Sequence, residues 1–241
     1  IIDKVRIAAC SRVKAIERRP VSAKAGTAAS KKLSADAVIK LAPRSGHFGS
    51  TERIIGIGSS TGGTEALKAV LAGLPVDLQA GIVVSQHIPA AFSGAFAARV
   101  DGVTGLSVCE ARDGQQILPG HVYIAPGDKH LLVERDGARY VCRLNDGPPV
   151  NRHKPSVDVM IRSLAQNVGP NAIGLMLTGM GDDGAAGMGE LKQLGAPVLV
   201  QDEKTSVVWG MPGEVVKRGF ADEILPLGKI AGRLRTLVAE R

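Results

Sequence analysis

Ile54 to Gly63, IIGIGSSTGG, passes from an apolar strand-like run through small residues directly into a helical pattern. That succession commits the chain to a strand, a tight turn and a helix, and such a turn suits two chemistries. Read as G-x-S-x-G it is Gly58-Ser59-Ser60-Thr61-Gly62, which lifts Ser60 above a sheet with its hydroxyl exposed. Read as G-x-G-x-x-G it is Gly56 to Thr61, a dinucleotide fingerprint without its last glycine. The first reading needs a base and an acid elsewhere. The second needs an acidic residue at the end of the next strand, roughly 20 residues on.

Beyond Ser50, runs of Val, Ile and Leu alternate with helical spacing. Strands are expected at 54–58, 81–85, 106–110, 172–177 and 196–201, with helices at 64–73, 91–99, 156–167 and 185–194 and near Gly213 and Lys229. The middle reads differently: strands at 121–125, 131–134 and 139–144, the last two forming a hairpin across Asp136-Gly137. Alternation of this kind predicts an α/β fold, a doubly wound, mostly parallel sheet of about seven strands with helices on both faces and an inserted antiparallel hairpin.

Composition narrows the class. A hydrophobic fraction of 44% over 241 residues supports a sizeable core. No apolar run approaches the roughly 18 residues of a membrane span, and residues 1–19 are too interrupted by charge for a signal peptide, so a cytoplasmic protein is expected. Cys10, Cys109 and Cys142 are odd in number and widely spaced, suggesting neither a disulfide framework nor a zinc site. The net charge of +7 is uneven: residues 1–53 hold 12 Lys and Arg against 4 acidic residues, a balance of +8, which leaves −1 for the rest. No aromatic residues interleave those charges to stack on bases, so a solvated linker is favoured over a nucleic-acid arm. Residues 3–19 have the spacing of a short amphipathic helix, and Pro20 to Ser50 has the composition of a tether. Residues 1–50 are therefore expected to be a basic linker and 51–241 the folded domain.

In open α/β sheets the active groups collect at the carboxyl ends of strands. The first strand ends in Ser59, Ser60 and Thr61, before a helix whose free amides could hold an oxyanion. The second ends in Ser85-Gln86-His87, an imidazole where a ribose-binding acid would stand. The strand at 172–177 ends in TGMGDDGAAG, with Asp182 and Asp183. Serine, histidine and aspartate are the set that nucleophilic acyl transfer needs. Their order, Ser, His, Asp, is not that of the α/β-hydrolases, which run Ser, Asp, His. Of the other histidines, His47 and His121 read as structural or solvated. His130 and His153 flank the hairpin, and Arg152-His153-Lys154 reads as a solvated loop or a contact for an acidic substrate surface. Trp209 reads as a packing anchor or a residue lining the cleft.

Six blocks in order, GIGSSTGGTEAL, VVSQHIPAAFSGAFAARV, ARDGQQILPGHVYIAPGDKHL, DGPPVNRHKPSVDVM, LTGMGDDGAAGM and VVWGMPGEVVKRG, resemble the catalytic domain of the chemotaxis protein-glutamate methylesterases, the CheB-type receptor demethylases. The resemblance runs from Arg53 to the C-terminus. It implies that Ser60 is the nucleophile, His87 the general base and Asp183 the orienting acid, with Thr61 and Met180 at the oxyanion-binding turns. Ser59, where the family often has alanine, and Asp182, a second carboxylate, are this chain's departures. The resemblance further implies hydrolysis of glutamyl methyl esters on chemoreceptors, deamidation of receptor glutamines, and no metal or organic cofactor. A receiver domain usually precedes the linker in this family. Residues 1–19 resemble the last helix of one, so the chain is expected to be a piece of a longer protein.

Overall fold

The computed structural model describes residues 32–41 and 51–240. The expected helix over residues 3–19 and residues 20–31 and 42–50 of the expected tether lie outside them.

The elements run β1 (Arg53–Ser59), α1 (Gly63–Ala72), β2 (Ala80–Gln86), α2 (Ala90–Asp101), β3 (Ser107–Glu110), β4 (His121–Ile124), β5 (His130–Asp136) and β6 (Arg139–Asn145). Then come α3 (Val157–Asn167), β7 (Ala172–Met176), α4 (Ala185–Gln193), β8 (Val198–Gln201), α5 (Met211–Lys217), β9 (Glu223–Leu225) and α6 (Leu227–Ala239). Seven strands form one sheet in the order β3-β4-β2-β1-β7-β8-β9, and every neighbouring pair is parallel. The remaining two, β5 and β6, pair antiparallel as the expected hairpin.

Both faces of the sheet are covered, which is why its central strands read as unbroken apolar runs rather than alternating ones. Ile54 and Val83 face a core shared with the hairpin, α3, α4 and α5. Ile55, Ile57, Ile82 and Val84 face the other core, with α1, α2 and α6. The short edge strand β9 was not expected: three residues with Ile224 48% exposed leave no periodicity to read.

From β1 the chain moves to β2 and its outer neighbours, then returns through α3 to lay β7 on the other side of β1. The crevice of this doubly wound sheet therefore lies at the carboxyl end of β1. The glycines of the G-x-G pattern serve packing there. A Cβ on Gly56 would stand 2.3 Å from Leu164 Cδ1, and one on Gly58 2.4 Å from Val157 Cγ1. Two bare positions on β1 let α3 lie directly against the strand, bringing its first turn to the crevice.

Residues 32–41 pack on the outer side of α3. A 3-10 turn at Ala35–Ala37 buries Ala35 against Leu132, Val150 and Val159. Arg162 fastens it: its Nη1 donates to Asp36 at 2.7 Å and to the Ile39 carbonyl at 3.2 Å, while Nε and Nη2 grip Glu190 of α4. Among the described residues no helix is long and apolar enough to cross a membrane.

Candidate active site

Strand pairing sets two candidate residues side by side. Ser59 and Gln86 are partners in the β1–β2 register, so Ser60 and His87 leave adjacent strands together, at a spacing of roughly 4.8 Å. The two serines then diverge. Ser59 is buried and its hydroxyl donates to Gln86 Oε1 at 2.7 Å, whereas Ser60 is partly exposed at the crevice. Gln86 also ties the two strand ends: its Nε2 donates to the carbonyls of Ser60 and His87, each at 3.0 Å.

The third strand end closes over Ser60. Its backbone N–H donates to the Thr178 carbonyl at 3.0 Å, and the Thr178 hydroxyl donates to the Thr61 carbonyl at 3.0 Å. Gly179 passes so near that a Cβ there would lie 2.9 Å from Ser60 Cβ and 2.4 Å from Met211 Sδ. Only glycine fits. Thr61 is exposed, and the Met180 side chain stands 69% exposed beside the turn. Trp209 is the expected anchor, its Nε1 donating to the Gln201 carbonyl and its ring lying against Gly213.

His87 Nε2 meets Asp183 Oδ2 at 2.8 Å. Asp183, 1% exposed, sits at the N-terminus of α3. Its Oδ2 accepts the Val157 N–H at 2.7 Å, and its Oδ1 accepts from the Ser156 hydroxyl at 2.7 Å and Asn151 Nδ2 at 2.8 Å. A helix N-terminus favours a negative charge through its free amides and its dipole. Burial alone would push the Asp183 carboxyl up, but the hydrogen bond and charge of His87, with Asn151 and Ser156, outweigh it and hold the group below the usual carboxylate range. The histidine proton on Nε2 is thereby fixed. Nδ1 of His87 is buried with no hydrogen-bond partner among the described residues, leaving its lone pair free.

The neighbouring Asp182 turns away and pairs with Lys32 at 2.7 Å and with Arg218 at 3.5 Å. A carboxylate that sequence inspection did not single out lies on the other side: Asp158, 6% exposed, accepts the Gly187 N–H at 2.8 Å and Asn151 Nδ2 at 2.6 Å. Burial, reinforced by the charge of Asp183, raises its pKa to about 6. His153, read as part of a solvated loop or a substrate contact, instead stacks on His87 with ring centroids 3.8 Å apart. Its own pKa is lowered, by burial first and then by its nearness to His87. Asn151 and Ser156 gave no signal in the sequence, and His153 only as part of the RHK loop. Among the described residues no group of three or more His, Cys, Asp or Glu is arranged to hold a metal ion.

A parallel α/β sheet that gathers a partly exposed serine, a histidine and a buried aspartate at the ends of β1, β2 and β7 defines a class of serine-hydrolase-like proteins. Within that class the CheB methylesterase family matches residues 55–234, and the chain belongs to it. The crystal structure of the Thermotoga maritima CheB methylesterase catalytic domain superposes with a TM-score of 0.76 at 40% identity, covering 77% of this chain and 98% of that one. A protein-glutamate methylesterase/protein-glutamine glutaminase of Hydrogenovibrio crunogenus is 56% identical over 226 residues, 92% of this chain and 60% of its own length. One from Xanthomonas euvesicatoria is 52% identical over 243 residues, 100% of this chain and 64% of its own. The chain thus spans less than two thirds of the length of these relatives. The dinucleotide reading finds no support: β2 ends at Gln86 with His87 following, and the glycines of the fingerprint are taken up by the packing of α3.

Proposed function

We propose that this chain hydrolyses γ-glutamyl methyl esters on the cytoplasmic parts of chemotaxis receptors, releasing methanol and restoring glutamate. Ser60 Oγ forms a bond to the ester carbonyl carbon as His87 Nδ1 takes its proton. The tetrahedral adduct collapses, the bond to the methoxy oxygen breaks, and methanol leaves with that proton. Water then adds to the acyl carbon, giving a proton to Nδ1, and the bond to Oγ breaks as Oγ is reprotonated. Asp183 keeps the Nε2 proton in place and stabilises the imidazolium formed in each half. Backbone amides of the Thr61 and Met180 turns receive the oxyanion, where one lost donor costs about 2.7–4 kcal/mol.

The observation that carries the reading is the one-sided pairing of His87: Nε2 is bound to Asp183 while Nδ1, one residue past the end of β2, is without a hydrogen-bond partner among the described residues. The relatives, both named protein-glutamate methylesterase/protein-glutamine glutaminase, support the same ester chemistry and add glutamine deamidation. Deamidation follows the same path with ammonia as the leaving group. A receiver domain upstream, as the resemblance of residues 1–19 implies, would be the regulator of this site, and the enzyme would work in the cytoplasm. Methanol release from methylated receptor membranes tests the assignment. Wild type should release it and Ser60→Ala should not; full activity in Ser60→Ala would refute the nucleophile.

A further inference from the structure

The carboxylate of Asp183 is not held by the helix alone. Asn151 lies in the loop before α3 with φ at 51°, followed by Arg152 at 70°. That left-handed conformation is one that asparagine tolerates better than most residues. Its backbone N–H donates to the Leu33 carbonyl at 2.9 Å, so the docked 32–41 segment helps fix the loop. Its side-chain amide has two hydrogens. One reaches Asp183 Oδ1 at 2.8 Å and the other Asp158 Oδ2 at 2.6 Å.

We propose that Asn151 is a positioning residue of the reaction: its amide bridges Asp183 and Asp158, orients the Asp183 carboxylate toward His87, and separates that carboxylate from a second buried one. The proposal rests on the reading of His87 and Asp183 given above. Ser156 and Val157 also bind Asp183, but neither touches the Asp158 side chain. Asp158 is in turn anchored by the Gly187 N–H of α4, the helix that begins two residues after Asp183. The bridge therefore joins α4, the RHK loop and the triad acid. Without it two buried carboxylates lie close together with one fewer donor between them, and like charges so placed repel strongly. Raised protonation of Asp158 agrees with that crowding.

The test uses the full chain with Asn151→Gly, which removes the amide without straining a left-handed residue, Asn151→Asp, which replaces the donor with an acceptor, and Asn151→Gly combined with Asp158→Asn. Three quantities are measured: kcat and KM for methanol release, the thermal midpoint, and the proton resonance of the His87 Nε2–H in nitrogen-labelled protein. Asn151→Gly should lower kcat about tenfold with KM changed less than about twofold, and shift or broaden the Nε2–H resonance. Asn151→Asp should lower kcat further. Neutralising Asp158 in the double variant should restore most of the loss, which a purely structural defect would not allow. An unchanged resonance and kcat in Asn151→Gly would overturn the proposal, as would a loss that follows the thermal midpoint and is not relieved by Asp158→Asn. If the wild type releases no methanol, the esterase reading fails, while the resonance still decides the role of Asn151.

Discussion

His153 lies flat on His87, the two rings 9° from parallel with centroids 3.8 Å apart. A ring so placed restricts rotation of the histidine without using either of its nitrogens. Replacing His153 with Ala should therefore lower kcat by the worth of an aromatic pair, about 0.5–1.5 kcal/mol or roughly two- to twelvefold, while KM changes little. His153→Phe should retain most of the activity, because it keeps the stacking surface. Steady-state kinetics of both variants decide the point, and equal losses would argue against a role for the stack.

Ser59 and Ser60 should respond in opposite ways. Ser59→Ala removes a buried hydrogen bond to Gln86 and should cost about 1–3 kcal/mol of stability while leaving substantial activity. Ser60→Ala should abolish activity with little change in stability. Denaturant unfolding beside methanol release separates them.

Gln86 binds the carbonyls of both Ser60 and His87, so Gln86→Leu should damage stability and chemistry together. The His87 carbonyl and the Ser59 hydroxyl lose this partner, for a cost on the order of 1–3 kcal/mol per group, while the Ser60 carbonyl keeps the Gly63 N–H at 2.8 Å. Thermal unfolding and kcat should both fall, and a variant with normal kcat would show that the strand ends are held by other means.

The raised pKa of Asp158 has a definite sign in folding. Between its ordinary value of 3.8 and about 6 the folded state binds a proton that the unfolded state has released, so stability falls as pH rises through that window. Above pH 6 the full cost is present, at most about 3 kcal/mol. His130, lowered by burial, opposes this: its folded form resists protonation, so stability is lost as pH falls below about 6.5. Comparing wild type with Asp158→Asn cancels the histidine contribution. The variant should gain relative stability from pH 4 to pH 6 and hold a constant difference above it, measured by urea unfolding across pH.

The parts of the fold that were legible in the sequence are those with period and length. β1, β2 and β7 are apolar runs ended by glycine- or histidine-bearing turns, and their carboxyl ends were the natural places to look for chemistry. The contact of His87 with Asp183 joins two such ends. What supports them was not legible. Asn151, Ser156 and His153 lie in a loop with no periodicity, and their contacts with residues some 30 to 70 positions away depend on how α3 docks. Residues 33–40 are small or polar apart from Leu33, Val38 and Ile39, and their attachment depends on Arg162, whose partners lie more than 120 positions back and 28 ahead. β9 was hidden by its brevity.

Asp183 receives the first turn of α3, and α3 can reach β1 only because Gly56 and Gly58 have no side chains. The carboxylate bound to His87 is therefore also the cap of a core helix. Seating that helix and forming the His87–Asp183 contact are coupled in folding, so a partly folded chain with α3 undocked would lack the backbone amide that holds Asp183 against His87.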